Sequence, residues 1–271
     1  MKMKRLALMA AGIATLLCMS VTASAQGGVR QATEPGQKLT GTPPLEDYLV
    51  PASAEVAKPD QKGFIRRWLL LEPITKPNRS NTVFTDSYLR TEFYKNYFDG
   101  QFTDTPKDGM KVKAVVEEQV VDKNAPQGGF GMPMAAPQIV EKKVKLTWRA
   151  YDATRYNVKL YRLCTGLGYE RYGILCWAYT VIDCPTDMEN VRLSVGSNSA
   201  SMWWVNGEEV LLLSNDRRMV ADDAASKRIN LKAGKNIIRG AVINGPGMSD
   251  FCVRILDENG NPVKNYTIDT K

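Results

Sequence analysis

The chain has 271 residues, 36 of them basic and 29 acidic for a net charge of +7, and it contains no histidine. Without an imidazole there is no general base for a Ser-His-Asp or Cys-His nucleophile and no histidine ligand for zinc. The basic residues are scattered among acidic ones, as at Glu117-Glu118, Lys142-Lys143 and Asp222-Asp223, and not gathered into the patch that nucleic-acid binding needs.

Lys2, Lys4 and Arg5 precede an apolar run from Leu6 to Val21, and Ala23-Ser24-Ala25 supplies a small-x-small cleavage site before Gln26. This predicts a secretory signal peptide over residues 1–25, an exported (periplasmic or secreted) mature chain, and no transmembrane segment in it, since the apolar run is shorter than the roughly 20 residues a spanning helix needs. Cys18 as a lipoprotein cysteine is the rival reading, weakened by Leu17 where a small residue is usual. Removing Lys2, Lys4 and Arg5 leaves 33 basic residues against 29 acidic, so the mature net charge falls to +4.

Residues 26–62 are rich in Pro, Gly, Thr, Glu and Lys without apolar periodicity and read as an irregular N-terminal arm. A single domain over 63–271 is expected to begin with the apolar run Gly63 to Leu71, closed by Pro73. Asp86, Tyr88, Leu89, Phe93, Tyr94, Tyr97 and Phe98 recur at three- and four-residue spacing, which predicts one short helix over 86–98 with an aromatic inner face. Residues 112–117 and 144–149 alternate as strands. Between them a Gly/Pro/Met-rich segment at about 122–141 reads as an insertion loop. Its Gly128-Gly129-Phe130-Gly131 lacks the following Lys-Ser/Thr of a phosphate-binding loop.

The last hundred residues are dense in strands: 177–182, 191–195, 229–231, 236–242 and 251–256, with the hairpin Ser201 to Val210 turning at Asn206-Gly207. Asn-Gly between alternating apolar runs is a strong hairpin signal because both residues accept positive φ. Many short strands separated by turn signals predict a mainly β protein, an antiparallel β-sandwich of the jelly-roll type.

The four cysteines after residue 25, Cys164, Cys176, Cys184 and Cys252, are an even count in an exported context and suggest two disulfides. With 176 and 184 on one strand, roughly 26 Å apart at 3.3 Å per residue, the pairing 164–176 with 184–252 is preferred, free thiols being the alternative.

Phe64-Ile65-x-Arg67-Trp68-Leu69-Leu70-Leu71-x-Pro73 resembles the strand that opens many exported galactose-binding-like modules, with Glu72 and Ile74 in place of the usual Gly and Phe. Ala178-Tyr179-Thr180-x-Ile182, Leu193-x-x-Gly196-Ser197, Trp204-x-Asn206-Gly207-x-Glu209-Val210 and Leu231-Lys232-x-Gly234-x-Asn236 are similar to the sugar-binding-like jelly roll of family 2 glycosidases. The similarity covers most of residues 63–265. It implies carbohydrate association, or a structural role beside catalytic domains, with no catalytic residue to carry over and with the chain acting as a stand-alone module or subunit.

On the residues themselves, Trp203 and Trp204 point to opposite faces of one strand, so one of them is expected to meet solvent or a second layer and to stack on a sugar ring. Asp216, Arg217, Arg218 and Asn244 sit on loops where bidentate hydrogen bonds to vicinal hydroxyls can form, and Asp222, Asp223 and Asp250 are candidate ligands for a structural calcium. The functional expectation is a non-catalytic, exported carbohydrate-binding-like module that associates with polysaccharide or a glycan-degrading partner. The alternative is an envelope structural or assembly protein that binds another protein through the same sandwich. Two-carboxylate glycoside hydrolysis stays open, but 29 acidic residues select no pair.

Overall fold

A computed structural model describes residues 44–78, 80–120 and 138–270. In chain order they form β1 (Leu49–Pro51), β2 (Arg67–Leu71), β3 (Ile74–Thr75), α1 (Asp86–Tyr94), β4 (Lys111–Val120), β5 (Gln138–Ala153), α2 (Leu160–Gly166), β6 (Ile174–Cys184), β7 (Met188–Ser197), β8 (Ala200–Val205), β9 (Glu208–Leu213), β10 (Ala224–Ala225), β11 (Ile229–Leu231), β12 (Gly234–Ile243), β13 (Phe251–Leu256) and β14 (Thr267–Asp269). The predicted signal peptide, Cys18, arm positions 26–43 and loop positions 122–137 lie outside the described residues.

The class is mainly β, and the two antiparallel sheets are consistent with the expected sandwich. The larger sheet runs β1-β5-β2-β6-β12-β8-β9, with β3 and β14 also on β6 and β4 on β5. The smaller is β10-β7-β11, with β13 also on β7. Trp68, Leu70, Ala178, Trp203 and Val242 from the larger sheet meet Leu193, Val195, Phe251, Val253 and Ile255 from the smaller. The opposite face of the larger sheet is also covered: Leu69, Leu71, Trp177, Tyr179 and Trp204 pack against Phe84, Leu89 and Phe93 of α1 and its approach, and against Tyr97 and Phe98 beyond it. Its central strands are therefore buried on both sides, which is why β2 and β8 read as continuous apolar runs and not as alternation.

Arg67 interrupts the β2 run yet is only 4% exposed. Asp152 on the neighbouring β5 takes its Nε and Nη2 at 2.7 Å each, and Ser53 Oγ accepts a third bond at 2.8 Å. The fork thus replaces the water it loses.

Four local expectations need correction. The helix over 86–98 ends at Tyr94, because Lys95 turns extended and carries Tyr97 and Phe98 down into the core as loop residues. A second helix, α2, occupies a stretch given no element from sequence; about two turns long, it buries Leu160, Leu163 and Cys164. Part of the expected arm is regular: Leu49 to Pro51 pair with Tyr151 to Ala153. The expected loop at 122–141 loses its last four residues to β5, which pairs with β4 from Thr147↔Lys111 to Gln138↔Val120.

Candidate functional site

The Asn206-Gly207 turn has the two positive φ values, 50° and 87°, that a type I′ hairpin requires. Asn206 also holds the next strand, accepting from the Ile237 amide at 2.8 Å and donating to Asn236 Oδ1 at 3.0 Å. Above the turn the β8–β9 register shifts by one residue between Trp203↔Leu211 and Trp204↔Glu209. Such a bulge re-aims the side chains that follow it, and here Glu209 meets α1.

Trp203 and Trp204 are 0% and 1% exposed. Trp203 lies between the sheets, edge-on to Trp68 and Phe251, with its N–H given to Ser201 Oγ at 3.0 Å. Trp204 lies on the other face, stacked on Trp177. Both meet a packed layer, so neither offers the sugar-stacking face expected of one of them. A sheet covered on both sides leaves its central strand no solvent face.

The polar candidates gather at the sandwich end opposite the Asn-Gly turn, on the loops after β9 and β12. Asn81 ties these loops together: its Nδ2 donates to Asp216 Oδ1 at 2.7 Å and its Oδ1 accepts from the Gly245 amide at 2.9 Å. Arg217 is spent on Asp223, with Nε and Nη2 at 2.8 and 2.6 Å. Arg218 is exposed. Asn244 is fully buried, accepting from the Ile174 amide and donating to the carbonyls of Arg171 and Gly247, so its side chain pins the loop and is not open to a ligand.

The three calcium candidates are not brought together. Asp222 accepts from Arg254 and from Ser194 Oγ, Asp223 from Arg217, and Asp250 from Lys159 at 2.6 Å. Among the described residues there is no group of three metal-capable side chains. Burial works against ionised Asp222, but Arg254 and Ser194 outweigh it and hold its carboxyl below the usual range. At Asp250 burial wins over Lys159 and the carboxyl is pushed up.

None of the four cysteines is bonded. Cys164 and Cys176 are neighbours, and the Cys176 thiol together with burial pushes the Cys164 thiol up. Cys184 faces the inter-sheet core. Cys252 alternates with inward-facing Phe251 and Val253 and so points to the outer side of β13. The smaller sheet therefore stands between Cys184 and Cys252, and the expected bond between them has no path.

Sequence reading missed Tyr94, Arg90 and Glu209. Tyr94 is 50% exposed, stacked on Phe102 at 5.6 Å and edge-on to Trp204. Its hydroxyl donates to Glu209 Oε2 at 3.0 Å, and Arg90 Nη1 reaches both oxygens of the same carboxylate. That hydrogen bond raises the Arg90 guanidinium further, while partial burial is the main cause raising the Tyr94 phenol. The arrangement is an open aromatic ring on a rigid aromatic base, rimmed by a cation and a carboxylate. A signal for it existed in sequence: Leu89 and Phe93 are four apart, so Tyr94 falls beside the buried stripe and not within it.

At the turn end of the sandwich, a cleft of ≈ 290 Å³ opens between the sheets, lined by Val205, Asn206, Glu208, Lys227, Arg228 and Asn230. On the covered face, Lys76 sits between Glu92 and Glu117 at 2.7 and 2.6 Å, with Tyr97 donating to Glu92 at 2.6 Å. The lysine fills the space a hydrolytic carboxylate pair would leave for substrate. No known protein-family model matches this chain, and no curated protein matches it.

Proposed function

We propose that the protein is a non-catalytic, exported carbohydrate-binding module whose platform is Tyr94, flanked by Arg90 and Glu209. The observation that supports this reading is the half-exposed Tyr94 ring, held from beneath by Phe102 and Trp204. An aromatic ring fixed in this way offers a sugar's C–H face a contact of about 0.5–1.5 kcal/mol, at little entropy cost because the ring is already ordered. Arg90 and Glu209 at its edge supply a donor and an acceptor for adjacent hydroxyls. The resemblance of the strand and turn motifs to the sugar-binding-like jelly roll of family 2 glycosidases, and the apparent leader over residues 1–25, fit the same reading.

Calorimetry or affinity electrophoresis against a panel of polysaccharides tests it. Tyr94→Ala is expected to abolish retention on any polysaccharide that retards the wild type, and Arg218→Ala, away from the platform, to leave it unchanged. Retention that survives Tyr94→Ala removes the platform; no retention of the wild type on any polysaccharide removes the carbohydrate reading.

A second reading is favoured by a different observation. Near the end of the β4–β5 ribbon, Val120, Ile139 and Val140 are 44%, 49% and 39% exposed. Val120 and Val140 share one face of the ribbon and Ile139 lies on the other; exposed apolar side chains at a ribbon end suit a protein partner, as an envelope assembly protein would need. Val140→Lys is expected to release such a partner and to leave polysaccharide retention untouched.

A further inference from the structure

Arg155, Arg162 and Arg171 come from the loop after β5, from α2 and from the loop after α2, and tyrosine rings join them into one row. The Tyr48 ring, on the residue before β1, lies 5.0 Å from both Arg155 and Arg162. The Tyr161 ring lies 5.5 Å from Arg162 and 5.2 Å from Arg171, and Tyr172 closes the row 5.0 Å from Arg171. Spaced seven and nine residues apart, the arginines form no basic run in the sequence; folding brings them together. Each shared ring sets two cations within about 10 Å, close to the Debye length at 0.1 M salt, so a partner meets them as one charged surface.

The three guanidinium groups are held in place without being neutralised. Among the described residues none of them makes an ion pair, and the side-chain hydrogen bond within the row runs from Arg171 Nη1 to the Tyr161 hydroxyl at 2.7 Å. Asp250 feels the charge of Arg162 but is already bonded to Lys159 at 2.6 Å. Glu46 and Asp47 precede Tyr48 and Glu170 precedes Arg171, yet these exposed carboxylates pair with none of the three. A guanidinium resting on a ring keeps its N–H edge free, and that edge takes a carboxylate by two parallel bonds. Arg155 is exposed and the other five residues of the row are half-buried, so most of their side-chain freedom is lost before any partner arrives.

We propose that this row is a docking surface for an acidic segment of a partner protein, whose Asp or Glu carboxylates are taken edge-on by Arg155, Arg162 and Arg171. Arginine and tyrosine are the residues in which the cores and hot spots of protein interfaces are enriched. With cations already over them, the Tyr48 and Tyr161 rings are less open to the base stacking that binds a single-stranded nucleic acid. The row is also separate from the carbohydrate platform: α2 packs into the inter-sheet core, whereas α1, which carries Tyr94, packs on the opposite face of the larger sheet.

The test is a fluorescence-polarisation titration of the full chain against a labelled deca-glutamate peptide. Saturable binding should appear at low ionic strength and weaken as salt rises. Arg162→Gln and, separately, Arg171→Gln should each weaken it roughly tenfold. Tyr161→Leu keeps every charge but frees two of the arginines, and should weaken it roughly threefold. Lys143→Gln, which removes an exposed charge on the β4–β5 ribbon, should leave it unchanged. Arg162→Gln should leave polysaccharide retention untouched, so the docking surface and the Tyr94 platform fail separately. No saturable binding by the wild type, unchanged binding in the arginine variants or in Tyr161→Leu, or an equal loss from Lys143→Gln overturns the surface. Tighter binding of duplex DNA or of phosphatidylglycerol vesicles than of the peptide, lost in Arg162→Gln, overturns the protein partner.

Discussion

Gly240→Ala tests the packing around Trp203. Gly240 pairs with Trp203 across β12 and β8, and the indole lies over its Cα. A methyl group there would stand 2.6 Å from Cε3 and Cη2 of the ring and closer still to Cζ3, whereas ordinary contact is 3.4–4 Å. The backbone of Gly240 lies outside the positive-φ region, so the cost is steric and not conformational. To relieve it the ring must move by roughly 1 Å, about the shortfall in van der Waals contact. Trp68 and Phe251 block that movement at 5.9 and 5.2 Å between centroids, and the ring would give up its bond to Ser201. Overpacking costs about 1–3 kcal/mol and the lost hydrogen bond about 1, so a loss of about 3 kcal/mol is expected. For a domain of this size that lowers the melting temperature by about 10 °C. Urea unfolding followed by tryptophan fluorescence reads it as a lower midpoint at unchanged slope. Trp203→Phe in the Gly240→Ala background removes the clashing six-membered ring, so the double variant should lose at least about 1 kcal/mol less than the sum of the single ones. A Gly240→Ala protein within about 0.5 kcal/mol of wild type, or strict additivity in the pair, would refute the reasoning.

Other outcomes follow from the same geometry. Asp152 is held below its ordinary pKa: burial opposes its charge, but the hydrogen bond from Arg67, the Ser53 amide and the guanidinium field outweigh it. Its contribution is therefore full above the unfolded carboxyl value, about pH 4, and is lost as pH falls through the lower folded value; Asp152→Asn should flatten that part of the acid limb in stability measured against pH. The four thiols should resist alkylation at pH 8 in the native state, Cys252 being pushed up to about 12 by burial. After denaturation without reductant, mass spectrometry should find Cys164, Cys176, Cys184 and Cys252 all alkylated, and a pair that escapes would be a disulfide. Asn81→Ala removes the tie between the loops bearing Asp216 and Gly245; amide exchange at 215–220 and 245–248 should quicken while global stability falls by only about 1 kcal/mol, and unchanged exchange would show that the tie is incidental.

Much of the C-terminal half was legible because its signals are local. Strands 229–231 and 251–256 fall where alternation and turns put them, and Asn206-Gly207 makes the turn its φ preferences demand. The loop candidates were half legible: Asp216 and Arg217 do belong to one linked loop end, but Asn244 is buried there as a pin. The helix at 86–98 was placed correctly and ended four residues late, since Tyr97 and Phe98 keep an apolar spacing after the helix has stopped. Nothing in the one-dimensional pattern separates an aromatic that packs from a helix from one that packs from a loop.

Sequence alone determined the strand-and-turn grammar, and with it the antiparallel β class, because backbone preference and period act over a few residues. Only the tertiary structure decided how many faces are covered. The smaller sheet covers Trp203 and a second layer on the opposite face covers Trp204, Cys184 and Cys252 lie on opposite sides of the smaller sheet, and Arg254 pairs with Asp222 and Lys159 with Asp250. The second layer leaves Tyr94 as the half-open ring. Those outcomes depend on contacts between residues tens of positions apart, where a period of two says which way a side chain points and not what it meets.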